Sequence, residues 1–80
     1  MFFPTSFPIH GSYLTAREAE VLWLGLQGLT ILQISERIVR SPKTITRHRE
    51  NIRTRFGLTG YHRLQLFALK IRPELEKWVK

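Results

Sequence analysis

The stretch SPKTITRHRENIRTRFG, residues 41–57, has the features of one helix with both ends marked. Ser41 is a favourable N-cap residue, and Pro42 occupies the first helical position, where its missing N–H costs nothing. Gly57 stands where a left-handed C-cap residue is expected. At about 100° per residue, one side of this helix is apolar and the other is mostly cationic. The apolar stripe contains Ile45, Ile52 and Phe56, and the polar face contains Lys43, Thr46, Arg47, Glu50, Arg53 and Thr54.

Two interpretations of the polar face compete. It is either a solvated surface, as most charged helix faces are, or a surface that lies in the major groove of DNA. In the second case its side chains would reach base edges and phosphates. The helix by itself does not decide between them.

The composition limits the classes of protein that remain. Eighty residues, 42% of them hydrophobic, allow one small globular domain with a thin core. The chain has no cysteine, which excludes a disulfide framework and a thiolate metal site and fits a reducing compartment. No apolar run approaches the ~18 residues of a membrane span. We therefore expect a cytoplasmic protein with no cofactor and no membrane partner.

The charge is unevenly distributed along the chain. Thirteen Lys and Arg residues against six acidic ones give a formal net charge of +7. Six of the seven basic residues in the central segment are arginines, which suit bidentate contacts with phosphate and guanine. This pattern favours a polyanionic partner, nucleic acid first, although an anionic membrane surface or an acidic protein also matches the charge. The seven are Arg37, Arg40, Lys43, Arg47, Arg49, Arg53 and Arg55.

Residues 1–13 precede the periodic part of the chain. Pro4, Pro8 and Gly11 argue against regular structure and predict a flexible leader or linker. Three phenylalanines are unusually apolar for a linker and would dock on the domain or on a neighbour. They are Phe2, Phe3 and Phe7.

Two further helices are predicted before the basic one, over residues 14–27 and 30–39. A short helix, a tight turn and a basic second helix form a helix-turn-helix pattern. Each of the first two helices begins with a capping-box pair: Thr15 with Glu18, and Thr30 with Gln33.

A fourth helix is predicted over residues 61–71, with Pro73 just beyond its end. Leu66 and Leu69 point away from its core stripe. They are either scattered surface leucines or contacts to the same helix of a second subunit. Residues 73–80 form a tail that could add a short helical turn, with Trp78 folding back. The core stripe contains Leu64, Phe67, Ala68 and Ile71.

Four motifs together resemble the LuxR-type helix-turn-helix domain of bacterial transcription regulators. They are LTAREAEVL at 14–22, GLT at 28–30, SPKTI at 41–45 and HRENIRTRFGL at 48–58. The resemblance covers residues 14–71, and we assign the domain to 14–72. It implies an all-α fold of four helices, in which the third is the recognition helix and the fourth is often the dimer contact.

The resemblance also implies roles for individual residues. Arg47 would suit a bidentate guanine contact, and Glu50 would either accept from a cytosine amine or orient a neighbouring arginine. Arg17 and Glu18 match structural positions, and an ion pair and a cap are the preferred interpretation. The base-reading positions are Thr46, Arg47 and Glu50; the phosphate positions are Lys43, Thr44, His48, Arg53 and Arg55; the dimer positions are His62, Gln65, Leu66 and Leu69.

The chain departs from the family pattern at four positions. Leu32 and Ser35 stand where a Lys and an Ala are frequent in the second helix, and Leu32 removes a phosphate contact. Arg40 replaces an apolar residue, and Tyr61 replaces a frequent Arg. These departures concern the docking details and the target sequence more than DNA binding itself, because the added arginines keep the charge.

The resemblance implies sequence-specific binding of double-stranded DNA in transcription regulation, as a homodimer. Two forms are open: a stand-alone regulator, or a C-terminal domain whose upstream sensor or receiver domain lies outside this chain. The alternative is a protein–protein adaptor of the same fold with reduced or lost DNA binding. An enzyme is not expected, because the chain has no Asp, and its three histidines are scattered along the sequence. Neither His48 nor His62 has a metal-ligand partner four residues on, so no metal site is predicted.

Overall fold

A computed structural model describes residues 3–60 and 62–79 of the chain. These residues form a β-hairpin followed by four helices, so the expected four-helix fold is confirmed and a small sheet is added to it. The strands are β1 (Ser6–Ile9) and β2 (Ser12–Thr15), and the helices are α1 (Ala16–Leu26), α2 (Ile31–Ile38), α3 (Pro42–Phe56) and α4 (Arg63–Glu76).

Both predicted capping boxes are present and mark the starts of α1 and α2. Thr15 Oγ1 accepts from the Glu18 N–H at 3.2 Å, and Glu18 Oε1 accepts from the Thr15 N–H at 3.0 Å. Thr30 and Gln33 make the same reciprocal pair at 3.2 and 2.9 Å. These bonds satisfy N–H groups that have no partner within the helix, so the short helices begin at defined residues.

The core consists of two adjoining clusters that α1 and α3 share. Ile52 and the inner side of α4 belong to the larger cluster, and Ile45 belongs to the smaller one beside α2. At about 100° per residue, Leu24 lies away from the apolar line of Ala19, Leu22 and Leu26 on α1, yet it is buried in the smaller cluster. It is buried because α1 packs against α2 and α3 as well as α4, so that its apolar surface wraps around more than one side.

The prediction that residues 1–13 lack regular structure is wrong for most of that segment. Ser6 to Thr15 form an antiparallel hairpin in which Phe7 pairs with Leu14 and Ile9 pairs with Ser12. The two-residue loop has positive φ at both positions, 46° at His10 and 80° at Gly11, as a type I′ hairpin turn requires. The buried side chains of the hairpin close the larger core cluster over α4.

Pro8 is compatible with the hairpin because it occupies a position in β1 that makes no N–H hydrogen bond to β2. The Ala16 N–H donates to Thr5 O at 2.9 Å, and hydrogen-bonded pairs alternate along antiparallel strands. Pro8, which faces Tyr13, therefore occupies a pair where an N–H would point away from β2. Among the phenylalanines of the segment, Phe3 stacks on Phe7, whereas Phe2 lies outside the described residues.

The fourth helix ends later than predicted, because Pro73 lies inside it. Pro73 cannot donate to the carbonyl of Leu69, one turn earlier, but both residues are exposed and water can satisfy that oxygen. Leu75, one turn beyond Ile71, is fully buried, and its packing favours continuation of the helix. Trp78 folds back as expected, with its ring 6.2 Å from that of Phe7. The predicted first residue, Tyr61, lies outside the described residues.

The hairpin gives a direct test of the corrected fold. Ile9 is 4% exposed, so Ile9→Ala should lower the free energy of unfolding by about 2–4 kcal/mol through lost burial and a residual cavity. The measurement is urea unfolding followed by circular dichroism. The matched control is Ser6→Ala in the same strand, where the side chain is exposed and a change within about 0.5 kcal/mol is expected. Equal, negligible effects of both substitutions would mean that the segment is a loose leader.

Candidate nucleic-acid interface

Both ends of α3 are held as the sequence predicted. The Thr44 N–H donates to Ser41 Oγ at 3.2 Å, and Pro42 is the first helical residue. Gly57 adopts the left-handed conformation, with φ of 64°, and its N–H turns back to the last carbonyls of the helix. The caps therefore fix the residues at which α3 begins and ends.

The turn between α2 and α3 is closed by a valine in an unusual conformation. Val39 has φ of 56°, in the left-handed region that a β-branched residue rarely adopts. The Arg40 N–H donates to Ser35 O at 2.9 Å and closes the end of α2. Glycine is the residue that usually indicates a left-handed conformation, so the conformation of Val39 could not be predicted from the sequence.

Burial of one side of α3 decides what the other side exposes. Ile45 and Ile52 are fully buried. Four of the eight predicted DNA-binding residues are exposed, and four are half-buried. The exposed ones are Lys43, Thr46, Arg47 and Glu50, and the half-buried ones are Thr44, His48, Arg53 and Arg55.

Lys43 and Arg47 have no ion-pair partner among residues 3–60 and 62–79. They lie four positions apart, with Thr46 beside them, so their side chains project from the same side of α3. Arg37 and Arg40, at the end of α2, are also exposed. Sequence reasoning counted these two in the charge but did not name them as contacts. The charge of Lys43 and Arg47 is therefore available to an external anion.

Glu50 forms an ion pair with Arg53, three residues further along the same helix. Of the two roles predicted for Glu50, the structure favours orientation of a neighbouring arginine. The Thr44 hydroxyl lies 3.0 Å from Ser41 Oγ and belongs to the cap of α3. These contacts hold part of the polar face in place before any ligand binds.

Arg55 is directed into the fold. Its Nη2 donates to Glu18 Oε2 at 2.9 Å, and its Nη1 donates to Glu18 Oε1 and, at 3.2 Å, to Tyr13 O. The guanidinium carbon lies 4.2 Å from the centre of the Tyr13 ring, a cation–π contact. Because the Arg55 guanidinium is already paired inside the fold, its predicted phosphate contact stays a prediction. Arg17 forms an ion pair with Glu20 at 2.7 Å, and Glu18 closes the cap, in agreement with their structural interpretation.

The Glu18 carboxyl is 2% exposed and stays ionised because of its partners. Burial raises its pKa, but the hydrogen bonds from Arg55 and from the Thr15 N–H, with the charge of Arg55, outweigh burial. The net pKa of Glu18 is below its ordinary value, and the hydrogen bond to Glu18 raises the pKa of Arg55. The pair is therefore charged throughout the neutral range.

His48 lies half-buried on α3 near the start of α1. Burial lowers the pKa of its imidazole; Glu18 raises that pKa, and the charges of Arg17 and Arg40 lower it further. The net pKa lies below 6.5, so the side chain is neutral at pH 7. His48 can then offer a hydrogen bond to a phosphate but not a positive charge.

The four residues predicted for a dimer interface form one stripe on α4. His62, Gln65, Leu66 and Leu69 are all exposed and follow the i, i+3, i+4, i+7 spacing of a single helix face. Leu66 is 58% exposed and Leu69 is 49% exposed. Both interpretations given for the pair, surface leucines or contacts to a second subunit, fit this exposure.

Across residues 3–60 and 62–79, no group of three His, Cys, Asp or Glu side chains is arranged to hold a metal ion. Every helix in this part of the chain is too short or too polar to cross a lipid bilayer.

The sequence model of the luxR family of bacterial regulatory proteins matches residues 12–68, which include β2, α1, α2, α3 and the first part of α4. The chain belongs to the luxR family. This luxR-family domain is a DNA-binding domain of transcription regulation, and α2 with α3 forms its helix-turn-helix. Comparison with curated proteins gave no match, and neither did comparison with solved structures.

The environment of His48 predicts how stability changes with pH. Because its folded-state pKa is below the unfolded value of about 6.5, protonation favours the unfolded chain. The free energy of unfolding should be largest above pH 6.5 and should decrease as the pH falls toward the folded-state pKa. The decrease should not exceed about 1.4 kcal/mol per pH unit for this one proton. Urea unfolding at several pH values measures it, and His48→Gln should remove this part of the slope.

The titration itself supplies the independent check. Nuclear magnetic resonance of the His48 imidazole should give a midpoint below 6.5 in the folded protein. A midpoint at or above this value would contradict the burial argument.

Proposed function

We propose that this luxR-family chain binds double-stranded DNA with sequence specificity, with α3 in the major groove. The observation that carries the proposal is the exposed outer side of α3, where Lys43 and Arg47 lack internal partners among the described residues. An α-helix fits the width of the major groove, and a helix capped at both ends loses little conformational entropy on docking. We place the protein in the bacterial cytoplasm.

In this proposal, the exposed residues of α3 have two roles: some contact bases and others contact phosphates. Arg47 would form a bidentate contact with guanine, and Thr46 beside it would reach an adjacent base edge. Lys43 would neutralise a phosphate. Arg53, held by Glu50, would present its remaining donors to the DNA backbone. Thr44 and His48 would supply neutral hydrogen bonds to phosphate oxygens.

These two roles predict that substitutions of Arg47 and Lys43 impair DNA binding in different ways. Arg47→Ala should reduce the preference for the selected site over random DNA by about 1–3 kcal/mol. Lys43→Ala should weaken binding to all sequences alike and should reduce the log–log salt slope by about 0.9, the value for one phosphate contact. Fluorescence anisotropy across a salt series, on selected and random duplexes, measures both quantities.

The control for this pair is Lys77→Ala, which removes an exposed cation at the end of α4 and should change neither quantity. Equal losses on all sequences from both α3 variants would contradict the assignment. Weak wild-type binding with a flat salt slope would favour the adaptor function instead.

We further propose that two copies associate through α4, so that two recognition helices meet two half-sites. Support comes from the exposed stripe of His62, Gln65, Leu66 and Leu69, since a two-fold axis lets one such stripe pack against itself. The apolar pair at its centre would provide the hydrophobic part of that contact.

Leu69→Lys should abolish the dimer, because two buried lysines would face each other across the axis. The fold should persist, since the side chain is exposed in the monomer. Sedimentation equilibrium measures the association, and circular dichroism verifies the fold. Leu32→Lys is the matched control, because Leu32 is 61% exposed on α2, away from the stripe. A wild-type chain that remains monomeric when bound to paired half-sites would contradict the proposal.

A further inference from the structure

A small cleft lies where α1, α3 and α4 meet, and its volume is about 180 Å³. A buried cavity of about 150 Å³ is large enough to hold benzene. The cleft is also smaller than the roughly 300–1,000 Å³ of sites for drug-sized ligands. It therefore fits a single ring or a short branched chain. Its apolar walls are formed mainly by Val21, Leu22, Leu26, Leu64 and Ala68.

The polar side of the cleft is formed by Arg49 from α3 and Gln65 from α4. Arg49 is half-buried, yet within residues 3–60 and 62–79 no carboxylate forms an ion pair with it. In contrast, Arg53 and Arg55 on the same helix both have carboxylate partners. A partly desolvated guanidinium is stabilised by an anion, and a carboxylate matches its paired donors.

Gly25 is exposed and lines the cleft from the side of α1. Glycine is disfavoured inside a helix, so its presence there calls for a local reason. Its φ is not in the left-handed region, and a Cβ at this position would meet no atom within 4 Å. Neither backbone conformation nor crowding requires glycine, whereas any larger side chain would take up space at the cleft.

We propose that this cleft binds a small monocarboxylate whose apolar body is a single ring or a short branched chain. The Arg49 guanidinium holds the carboxylate, and the Gln65 amide lies beside it as a second donor. The apolar walls contact one side of the ligand body, and the open side of the cleft stays in contact with water. Arg49 has no assigned role in the DNA proposal and the test needs no DNA, so its result does not depend on DNA binding. Gln65 is shared with the stripe proposed for the dimer.

The test compares benzoate with benzyl alcohol, which has the same ring but no charge. Benzoate added to the full chain should cause saturable chemical-shift changes at the amides of residues 21–26, 49 and 64–68. Benzyl alcohol should bind at least about tenfold more weakly, because it lacks the charge-assisted hydrogen bonds to Arg49. Absence of saturation, or equal affinity for the two probes, would overturn the proposal.

Three variants locate the site. Arg49→Gln should weaken benzoate binding about tenfold and remove the preference over benzyl alcohol. Arg37→Gln, the matched control on the exposed side of α2, should bind benzoate like the wild type. Gly25→Leu should fill the cleft and abolish binding of both probes while the chain stays folded, since leucine favours the helix. Unchanged benzoate binding in Arg49→Gln or in Gly25→Leu would overturn the assignment.

Discussion

The contact between Glu18 and Arg55 joins three elements of the fold at one point. The Glu18 carboxylate closes the cap of α1 and accepts from Arg55 in the last turn of α3, while Arg55 also covers the ring of Tyr13 in β2. A buried carboxylate without these partners would be strongly destabilising. The pair therefore fixes where α3 ends relative to α1 and the hairpin, and the direction of the exposed side of α3 depends on that position.

The same packing divides the arginines of α3 into structural and available groups. Arg55 is directed inward, and Arg53 is paired with Glu50 along the helix. Arg47 remains on the exposed side, opposite the fully buried Ile45 and Ile52. Arginines of one helix thus have different surroundings, because burial of one helix stripe sets the direction of every other side chain.

Local signals predicted the fold well where partners lie within a few residues. The caps at Ser41 and Gly57 are of this kind, since their hydrogen bonds join neighbours in sequence. Two of the differences from prediction concern proline. Pro8 is compatible with a strand and Pro73 with a helix, because the missing N–H falls at an exposed or unpaired position. Whether a proline interrupts an element depends on the surroundings of that N–H, which the sequence does not show.

By itself, the sequence determined the N-cap residues of α1, α2 and α3, the helix-turn-helix order and the family, because caps and motifs are local properties. The first helix was predicted from Leu14, whereas Leu14 and Thr15 belong to β2 and α1 begins at Ala16. Only the tertiary structure decided which cations stay available, since Arg55 and Glu18 are 37 residues apart and nothing near Arg55 distinguishes it from Arg47. It also decided that Leu24 is buried and that Arg49 lies half-buried without a carboxylate partner among the described residues. These outcomes follow from how the helices pack, and packing brings together residues that the sequence separates.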